Sequence, residues 1–116
     1  MSSSRAAEHF LDIVENIAQI TQYVGTMSRA QFEADVRTRD AVERCLMRLS
    51  EAAVRLGAEA ERLCPNQPWR DIRGLGNHLR HAYDRIDADQ LWTIVQRDLL
   101  ALEMESREVV DRLQGS

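Results

Sequence analysis

The chain has 116 residues, of which 44% are hydrophobic and 29% are charged, and its formal net charge is −4. A chain of this length and composition is expected to form one domain, residues 1–116, with its own hydrophobic core. The negative charge argues against indiscriminate binding of nucleic acid over the whole surface. Because the sequence has no run of 18 apolar residues and no apolar signal segment at its start, we expect a cytoplasmic protein without a membrane partner.

Helix-forming residues dominate between a few sharp breaks, which predicts an all-α fold. The first helix is expected to begin after the N-terminal serines and to end at about Tyr23, with Gly25 as the stop. Ser28 is a candidate cap for a short helix that leads into a long one, and Gly57 marks the end or a kink of that long helix. The residues expected to be buried along these helices are Phe10, Ile13, Ile17, Ile20, Phe32, Val36, Val42, Cys45, Leu46, Leu49, Ala53 and Leu56.

The second half of the chain contains two further predicted helices. A short turn through Leu63 precedes a break between Pro65 and Pro68, and Pro68 fits the first position of the next helix, where its missing N–H costs nothing. The last helix begins near residues 86–89 with acidic side chains at its positive end. Its expected inner residues are Trp92, Val95, Leu99, Leu102, Val109 and Leu113. Four main helices with short connections predict an up-and-down four-helix bundle with one or two short extra helices.

The two cysteines, Cys45 and Cys64, make no disulfide framework, and both fall within helical patterns. We expect them to be small apolar core residues. With His78 and His81 they are residue types that bind zinc, but their spacing matches no common zinc motif. The sequence therefore predicts neither a metal site nor a cofactor.

The helix after the second proline carries the candidate functional site. Its apolar stripe is expected to be buried, and the opposite face presents Arg73, Asn77 and His81 in an i, i+4, i+8 row. The expected buried stripe consists of Trp69, Ile72, Leu75, Leu79 and Ala82. Residues 68–85 include four arginines and two aspartates, a local charge of +2 that leaves −6 for the rest of the chain. Such a row can hold a phosphate and transfer a proton.

Two histidines and an asparagine are the candidates for proton transfer and orientation. His81 titrates near neutrality and can act as general base and then general acid toward an RNA 2′-hydroxyl. Asn77 can orient the imidazole or donate to a phosphate. His78 lies near the same face and adds charge there, or else it is an ordinary solvated histidine.

Three arginines of the same helix are candidates for phosphate contacts. Arg73 and Arg80 can stabilise the charge that develops on phosphate oxygens, and Arg70 adds a further contact. The planar guanidinium suits phosphate, although the use of arginine for all fifteen basic residues is also what the codon bias of a GC-rich genome produces.

Gly74 and Gly76 lie inside the predicted helix, where each costs roughly 1 kcal/mol relative to alanine. Without a Cβ atom they permit the close approach of another backbone or of a ligand. Plain packing between helices is the alternative explanation.

Several segments of the chain resemble the HEPN superfamily and, within it, the HepT-like toxins. The resemblance covers nearly the whole chain. In chain order the matching segments are residues 31–35 (QFEAD), 40–44 (DAVER), 50–53 (SEAA), 68–72 (PWRDI) and 89–92 (DQLW). It implies a small helical protein encoded beside a MntA-like minimal nucleotidyltransferase, which is its antitoxin. It also implies a metal-independent ribonuclease site formed by arginine and histidine across a homodimer interface.

The family signature places an arginine, usually followed by asparagine, five positions before a histidine, with a tyrosine two positions after it. Residues 76–83 read GNHLRHAY, so Asn77, His81 and Tyr83 match, whereas Gly76 replaces the arginine. By this resemblance His81 has the catalytic role, and Tyr83 is the tyrosine that the antitoxin adenylylates.

The position of the catalytic arginine therefore stays open at the level of sequence. Arg73 is the first candidate, because it lies one turn before Gly76 and has a long side chain. Arg80 is the second candidate, although it points about 100° away from its neighbour His81 around the helix. The third reading is that Gly76 marks a variant with weak or lost activity.

Two functions follow from the residues and the resemblance. The first is an endoribonuclease toxin of a toxin–antitoxin module, active as a homodimer on RNA and silenced by adenylylation of Tyr83. The alternative is a non-catalytic HEPN module that binds a nucleotide or the partner protein on the same face, which the missing signature arginine favours. A helical scaffold without a ligand ranks last.

Overall fold

The computed structural model describes residues 3–80 and 87–115, which are almost entirely helical and include no β-strand. The helices are α1 (Ser3–Val24), α2 (Arg29–Ala34), α3 (Val36–Leu56), α4 (Ala58–Leu63), α5 (Trp69–Arg80), α6 (Ala88–Thr93), a π-helical turn (Ile94–Asp98) and α7 (Leu99–Gln114). The predicted all-α fold is confirmed. None of the helices in the described part of the chain is long and apolar enough to cross a membrane.

Four main helical segments form the bundle, and two short helices are added to it, as predicted. α1 packs against α3 and α7, and α5 packs against α3. The apolar stripe expected on α1 is entirely buried and faces these neighbours. It consists of Phe10, Ile13, Ile17 and Ile20. Since α3 contacts both α1 and α5, the position of α5 depends on which side chains α3 presents to it.

The predicted breaks between the helices are confirmed at Ser28 and Gly57. The Ser28 hydroxyl accepts from the backbone N–H of Gln31 at 3.2 Å, and the Gln31 side chain accepts from the N–H of Ser28 at 2.8 Å. This reciprocal pair is a capping box. Gly57 has φ +55°, a conformation that glycine adopts without a steric penalty, and α3 ends there.

Two details of the sequence-based prediction were wrong. Val36 was expected to be buried, but it is 57% exposed, because it is the first residue of α3 and lies where the chain still turns from α2. Pro68 was expected at the first helical position, yet α5 begins one residue later. The carbonyl of Pro68 accepts the first helical hydrogen bond, from the N–H of Ile72 at 3.0 Å.

The last helix is interrupted where the sequence predicted a continuous one. The π-helical turn between α6 and α7 contains more residues per turn than an α-helix, so it shifts the phase of the apolar stripe. Before the turn the fully buried residue is Leu91, and the predicted Trp92 is only half-buried. After the turn Leu99 and Leu102 are buried as expected.

The start of α5 is anchored in the core by Trp69. Its ring meets Phe10 of α1 edge to face, with centroids 5.9 Å apart, and its Nε1–H donates to the carbonyl of Cys64 at 2.7 Å. Cys64 and Cys45 are both buried, which confirms their predicted role in packing. Burial raises the pKa of the Cys64 thiol to about 11, so this thiol stays protonated at neutral pH. The contacts of Trp69 thus fix the position at which α5 enters the bundle.

Candidate functional site

The most closely packed side of α5 is shifted relative to the prediction. Trp69 and Gly76 are buried, whereas the expected stripe residues after Trp69, namely Ile72, Leu75 and Leu79, pack against the core but are only half-buried. The side chain of Arg73 is 26% exposed and lies on the side that meets α3 and α4. The prediction that Arg73 belongs to a solvent-facing row was therefore wrong.

The guanidinium of Arg73 is already fully engaged. It forms a two-pronged ion pair with Glu61 of α4, with N–O distances of 2.6 and 2.9 Å. It also donates to the carbonyl of Gly57 at 2.8 Å, which accepts from the N–H of Ala60 as well, and to the carbonyl of Ala53 in the last turn of α3 at 3.4 Å. The hydrogen bond from Arg73 lowers the pKa of Glu61. Arg73 thus connects α5 to the end of α3 and to α4, and we call these contacts the Arg73 clamp.

Gly76 is required by the approach of α5 to α3. The hydroxyl of Ser50 accepts from the N–H of Gly76 at 3.0 Å and donates to the carbonyl of Arg73 at 3.0 Å. A Cβ atom added to Gly76 would lie 2.7 Å from Ser50 Cβ and closer still to its Oγ. The packing explanation therefore holds for Gly76. At Gly74 an added Cβ would meet nothing within 4 Å, so no other described part of this chain approaches that position closely.

The remaining polar side chains of α5 point to different sides of the molecule. Arg80 reaches back to α3, where Nη2 lies 3.1 Å from a carboxylate oxygen of Glu51. His78 lines a shallow depression beside Arg29 and Asp89, which are themselves ion-paired. Within one chain the described basic groups of α5 therefore do not converge on a single point.

Four exposed or undescribed positions complete the sequence-predicted set of site residues. Asn77 and Arg70 are exposed on α5. His81 and Tyr83 lie outside the described residues, as does Ala82 of the predicted stripe. Among the residues that the structure does describe, no group of three or more histidine, cysteine or acidic side chains is placed to hold a metal ion.

A cluster of arginines that sequence reasoning missed lies on α3, next to Arg80. Together these side chains line a groove of ≈ 550 Å³ between α1, α3 and the end of α5, which we call the basic groove. Its lining residues are Asp12, Asn16, Arg44, Met47, Arg48, Glu51, Arg55 and Arg80. The sequence did contain a signal for this cluster. Positions 44, 48, 51 and 55 are spaced by four, three and four residues, which places their charged side chains on one face of a helix.

The described residues thus define a small all-α bundle whose fifth helix includes residues 76–80 of the signature segment and borders an arginine-lined groove. The model of the Ribonuclease HepT-like family matches residues 13–109. The chain belongs to this family, and the resemblance to HepT-like members of the HEPN superfamily that was read from short segments is confirmed.

Individual relatives agree with the family match. A Thermococcus cleftensis protein named "Probable ribonuclease HepT" is 31% identical over 96 residues, which cover 83% of this chain and 87% of that protein. A Methanocaldococcus jannaschii protein named "Putative RNase MJ1380" is 32% identical over 104 residues, 89% of this chain and 95% of the relative. No solved structure matches the chain.

Proposed function

We propose that this protein is the toxin of a toxin–antitoxin module and cleaves RNA as a metal-independent endoribonuclease. The observation that carries the proposal is the family match over residues 13–109, whose range includes His81 and Tyr83 at their signature positions. No cofactor is needed for this chemistry, because a histidine and a guanidinium supply the proton transfer and the charge.

His81 is the proposed general base and acid. Its imidazole takes the proton from a 2′-hydroxyl as that oxygen attacks the adjacent phosphorus and the bond to the 5′-oxygen breaks. The same imidazolium then returns the proton to the departing 5′-oxygen, so the step balances without an external reactant. Asn77, exposed one turn earlier, is the proposed residue that orients the imidazole or donates to the phosphate.

Among the arginines, the contacts favour Arg80 over Arg73 as the group that meets the phosphate. Arg73 would have to give up Glu61 and the carbonyl oxygens that it caps. Arg80 is 46% exposed and has one ion-pair partner among the described residues, Glu51, which is itself 43% exposed. Surface pairs of this kind contribute about 0–1 kcal/mol, so a phosphate can replace the carboxylate at little cost. Arg70 and His78 remain candidates for outer phosphate contacts.

We further propose that the active form is a homodimer. The described basic groups of α5 do not converge within one chain, and the resemblance implies that arginine from one subunit acts with histidine from the other. Leu100 and Met104 lie one turn apart on α7 and are 64% and 56% exposed, which supports an apolar contact surface.

The test of catalysis is cleavage of a single-stranded RNA in the presence of a chelator. His81→Gln is expected to abolish cleavage and to leave the helical circular dichroism spectrum unchanged. His9→Gln, which removes a partly buried histidine of α1 outside the proposed site, is the matched control and is expected to cleave normally. Cleavage by the His81 variant at the wild-type rate would refute the role of His81.

A second candidate function is supported by the environment of Gly76. The position of the signature arginine is occupied by glycine and closed by Ser50, which favours a non-catalytic HEPN module that binds a nucleotide or partner protein. The two candidates differ in one readout: the binding module retains RNA or nucleotide affinity, but wild-type protein leaves the RNA intact.

The proposed partner is a MntA-like nucleotidyltransferase that adenylylates Tyr83. Each adenylyl group adds a phosphate charge next to the arginines, which would repel the RNA backbone. Incubation with that enzyme and ATP is expected to raise the mass of the wild type in adenylyl steps and not that of Tyr83→Phe. Tyr23→Phe is the matched control, since Tyr23 is the only other tyrosine and is exposed. An equal gain by both variants would exclude Tyr83 as the modified residue.

A further inference from the structure

We propose that the basic groove binds the phosphate backbone of single-stranded RNA, and that Glu51 competes with the RNA for Arg80. This inference rests on the proposed ribonuclease function, because it assigns the surface that holds the substrate next to the cleavage site. It adds residues of α3 to a site that the sequence placed on α5 alone.

The charge of the groove is opposite to that of the chain. Four arginines and two carboxylates line it, a local balance of +2 in a chain whose net charge is −4. Arg44 and Arg48 form no ion pair with any residue in the described ranges 3–80 and 87–115. Their positive charge is therefore available to an anion from solution.

The spacing of the arginines suits an extended polyanion. Arg44, Arg48 and Arg55 lie on one face of α3 and span about 16 Å at the rise of 1.5 Å per residue. This length exceeds what a single phosphate can contact. The groove is open and lined mainly by charged residues, and guanidinium groups bind phosphate oxygens with paired hydrogen bonds. A strand with several phosphates is the ligand that matches a row of this kind.

Glu51 lies in the middle of this row and links two of its arginines. Its carboxylate oxygens are 3.3 Å from Arg55 Nε and 3.1 Å from Arg80 Nη2. Both pairs are solvent-exposed, so they contribute little to stability, and a phosphate can substitute for the carboxylate. Glu51 therefore keeps Arg80 turned toward α3 when RNA is absent and lowers the affinity of the groove.

The groove also includes the residue that precedes the proposed catalytic histidine. Arg80 is the last described residue of α5 and directly precedes His81 in the sequence. A strand bound along α3 that replaces Glu51 at Arg80 is thus held one position before His81 in the sequence.

The groove is tested by RNA binding in a His81→Gln background, so that the RNA stays intact. The probe is a fluorescently labelled single-stranded RNA, followed by anisotropy at several salt concentrations. The Arg44→Gln/Arg48→Gln variant is expected to bind at least about tenfold more weakly, with a salt dependence reduced by about 1.4 in slope for two lost phosphate contacts. Arg97→Gln/Arg107→Gln, which removes two exposed charges near and on α7, is the matched control and is expected to bind within about twofold of the parent. Equal losses in both pairs would overturn the groove assignment.

The competition by Glu51 has a separate test with the opposite sign. Glu51→Gln is expected to tighten RNA binding by about threefold, since an exposed ion pair of under ~1 kcal/mol no longer has to be broken. Glu59→Gln loses the same charge from a half-buried residue of α4 that pairs with Arg62, and it is expected to leave the affinity unchanged. Unchanged or weaker binding by the Glu51 variant would refute the competition.

The same experiments distinguish a failure of the groove assignment from a failure of the proposed ribonuclease function. RNA cleavage by wild type together with normal binding by the α3 variant would leave the ribonuclease standing and refute the groove. Binding that depends on Arg44 and Arg48 without any cleavage would support the groove and refute the nuclease. Loss of binding to the nucleotidyltransferase in the α3 variant, with RNA binding intact, would assign the groove to a protein partner and overturn the proposal.

Discussion

Arg73 and Arg80 lie two turns apart on α5, and their surroundings differ sharply. Arg73 makes a two-pronged ion pair with Glu61 and caps the end of α3, with 26% of its side chain exposed. Arg80 is 46% exposed and holds one exposed carboxylate. The sequence ranks Arg73 ahead of Arg80 as the phosphate-binding cation, yet Arg73 is engaged in contacts within the fold and Arg80 forms one exposed ion pair. The difference shows that the contacts of an arginine, rather than its presence, decide what it can bind.

The largest effect is expected from placing the signature arginine at the Gly76 position. Gly76→Arg forces a side chain against Ser50, and overpacking of this kind costs about 3 kcal/mol or more. The double variant Ser50→Gly/Gly76→Arg removes the obstacle and is expected to recover most of the stability, as measured by urea unfolding. A double variant as unstable as the single one would show that another contact closes this position.

Activity of the same double variant sharpens the comparison between the two arginines. If Arg80 already supplies the charge, restoring the signature arginine leaves the cleavage rate nearly unchanged, which is the expected result. If that charge is missing from the wild-type site, the rate should rise on the order of 100-fold, the usual effect of one transition-state donor. Single-turnover RNA cleavage distinguishes these outcomes.

An intermediate effect on stability separates the Arg73 clamp from the Arg80 pair. Arg73→Ala is expected to lower the free energy of unfolding by about 2 kcal/mol, because Glu61 and two helix-end carbonyls lose a charged donor. Arg80→Ala is expected to lower it by less than about 1 kcal/mol. Urea unfolding of both variants measures the difference. Equal losses of unfolding free energy would show that Arg73 and Arg80 do not differ in their contribution to the fold.

The smallest effect concerns the pH dependence of the clamp. Hydrogen bonds from Arg73 hold the pKa of Glu61 below its ordinary value of 4.5, so its contribution is present above pH 4.5 and is lost as the pH falls through the lowered pKa. The difference in melting temperature between wild type and Glu61→Gln is therefore expected to shrink in acid. Glu33→Gln, which removes a carboxylate paired with Arg29 on α2, is the comparison. A constant difference from pH 7 to pH 3 would contradict the coupling.

Much of the fold could be predicted because its signals are local. The α1 stripe, the cap at Ser28 and the stop at Gly57 depend on residues within one or two turns of each other. The interruption of the last helix by a π-helical turn was missed, since an α-helical pattern of apolar residues continues through it and Leu91 takes the buried position expected for Trp92.

The candidate site was less predictable because it depends on contacts between helices. Periodicity placed Arg73 opposite the apolar stripe, but partners from α3 and α4, distant in sequence, bring it to the packed side. The arginines of α3 could be recognised as part of a groove only from the tertiary structure, which places the end of α5 beside them. His81 was identified from the polar row and its imidazole chemistry and then from the signature, and Tyr83 from the signature alone, and the roles of both stay predictions.

The amino-acid sequence by itself determined the helices, most of the core and the family, since these depend on short-range spacing and on residues read in order. Only the tertiary structure decided how α5 is rotated against α3. A single hydroxyl, Ser50, and the absence of a side chain at Gly76 set that rotation through close contact. That rotation brings Arg73 against the end of α3 and α4, where it stabilises the bundle. It leaves Arg80 beside a groove lined by arginines.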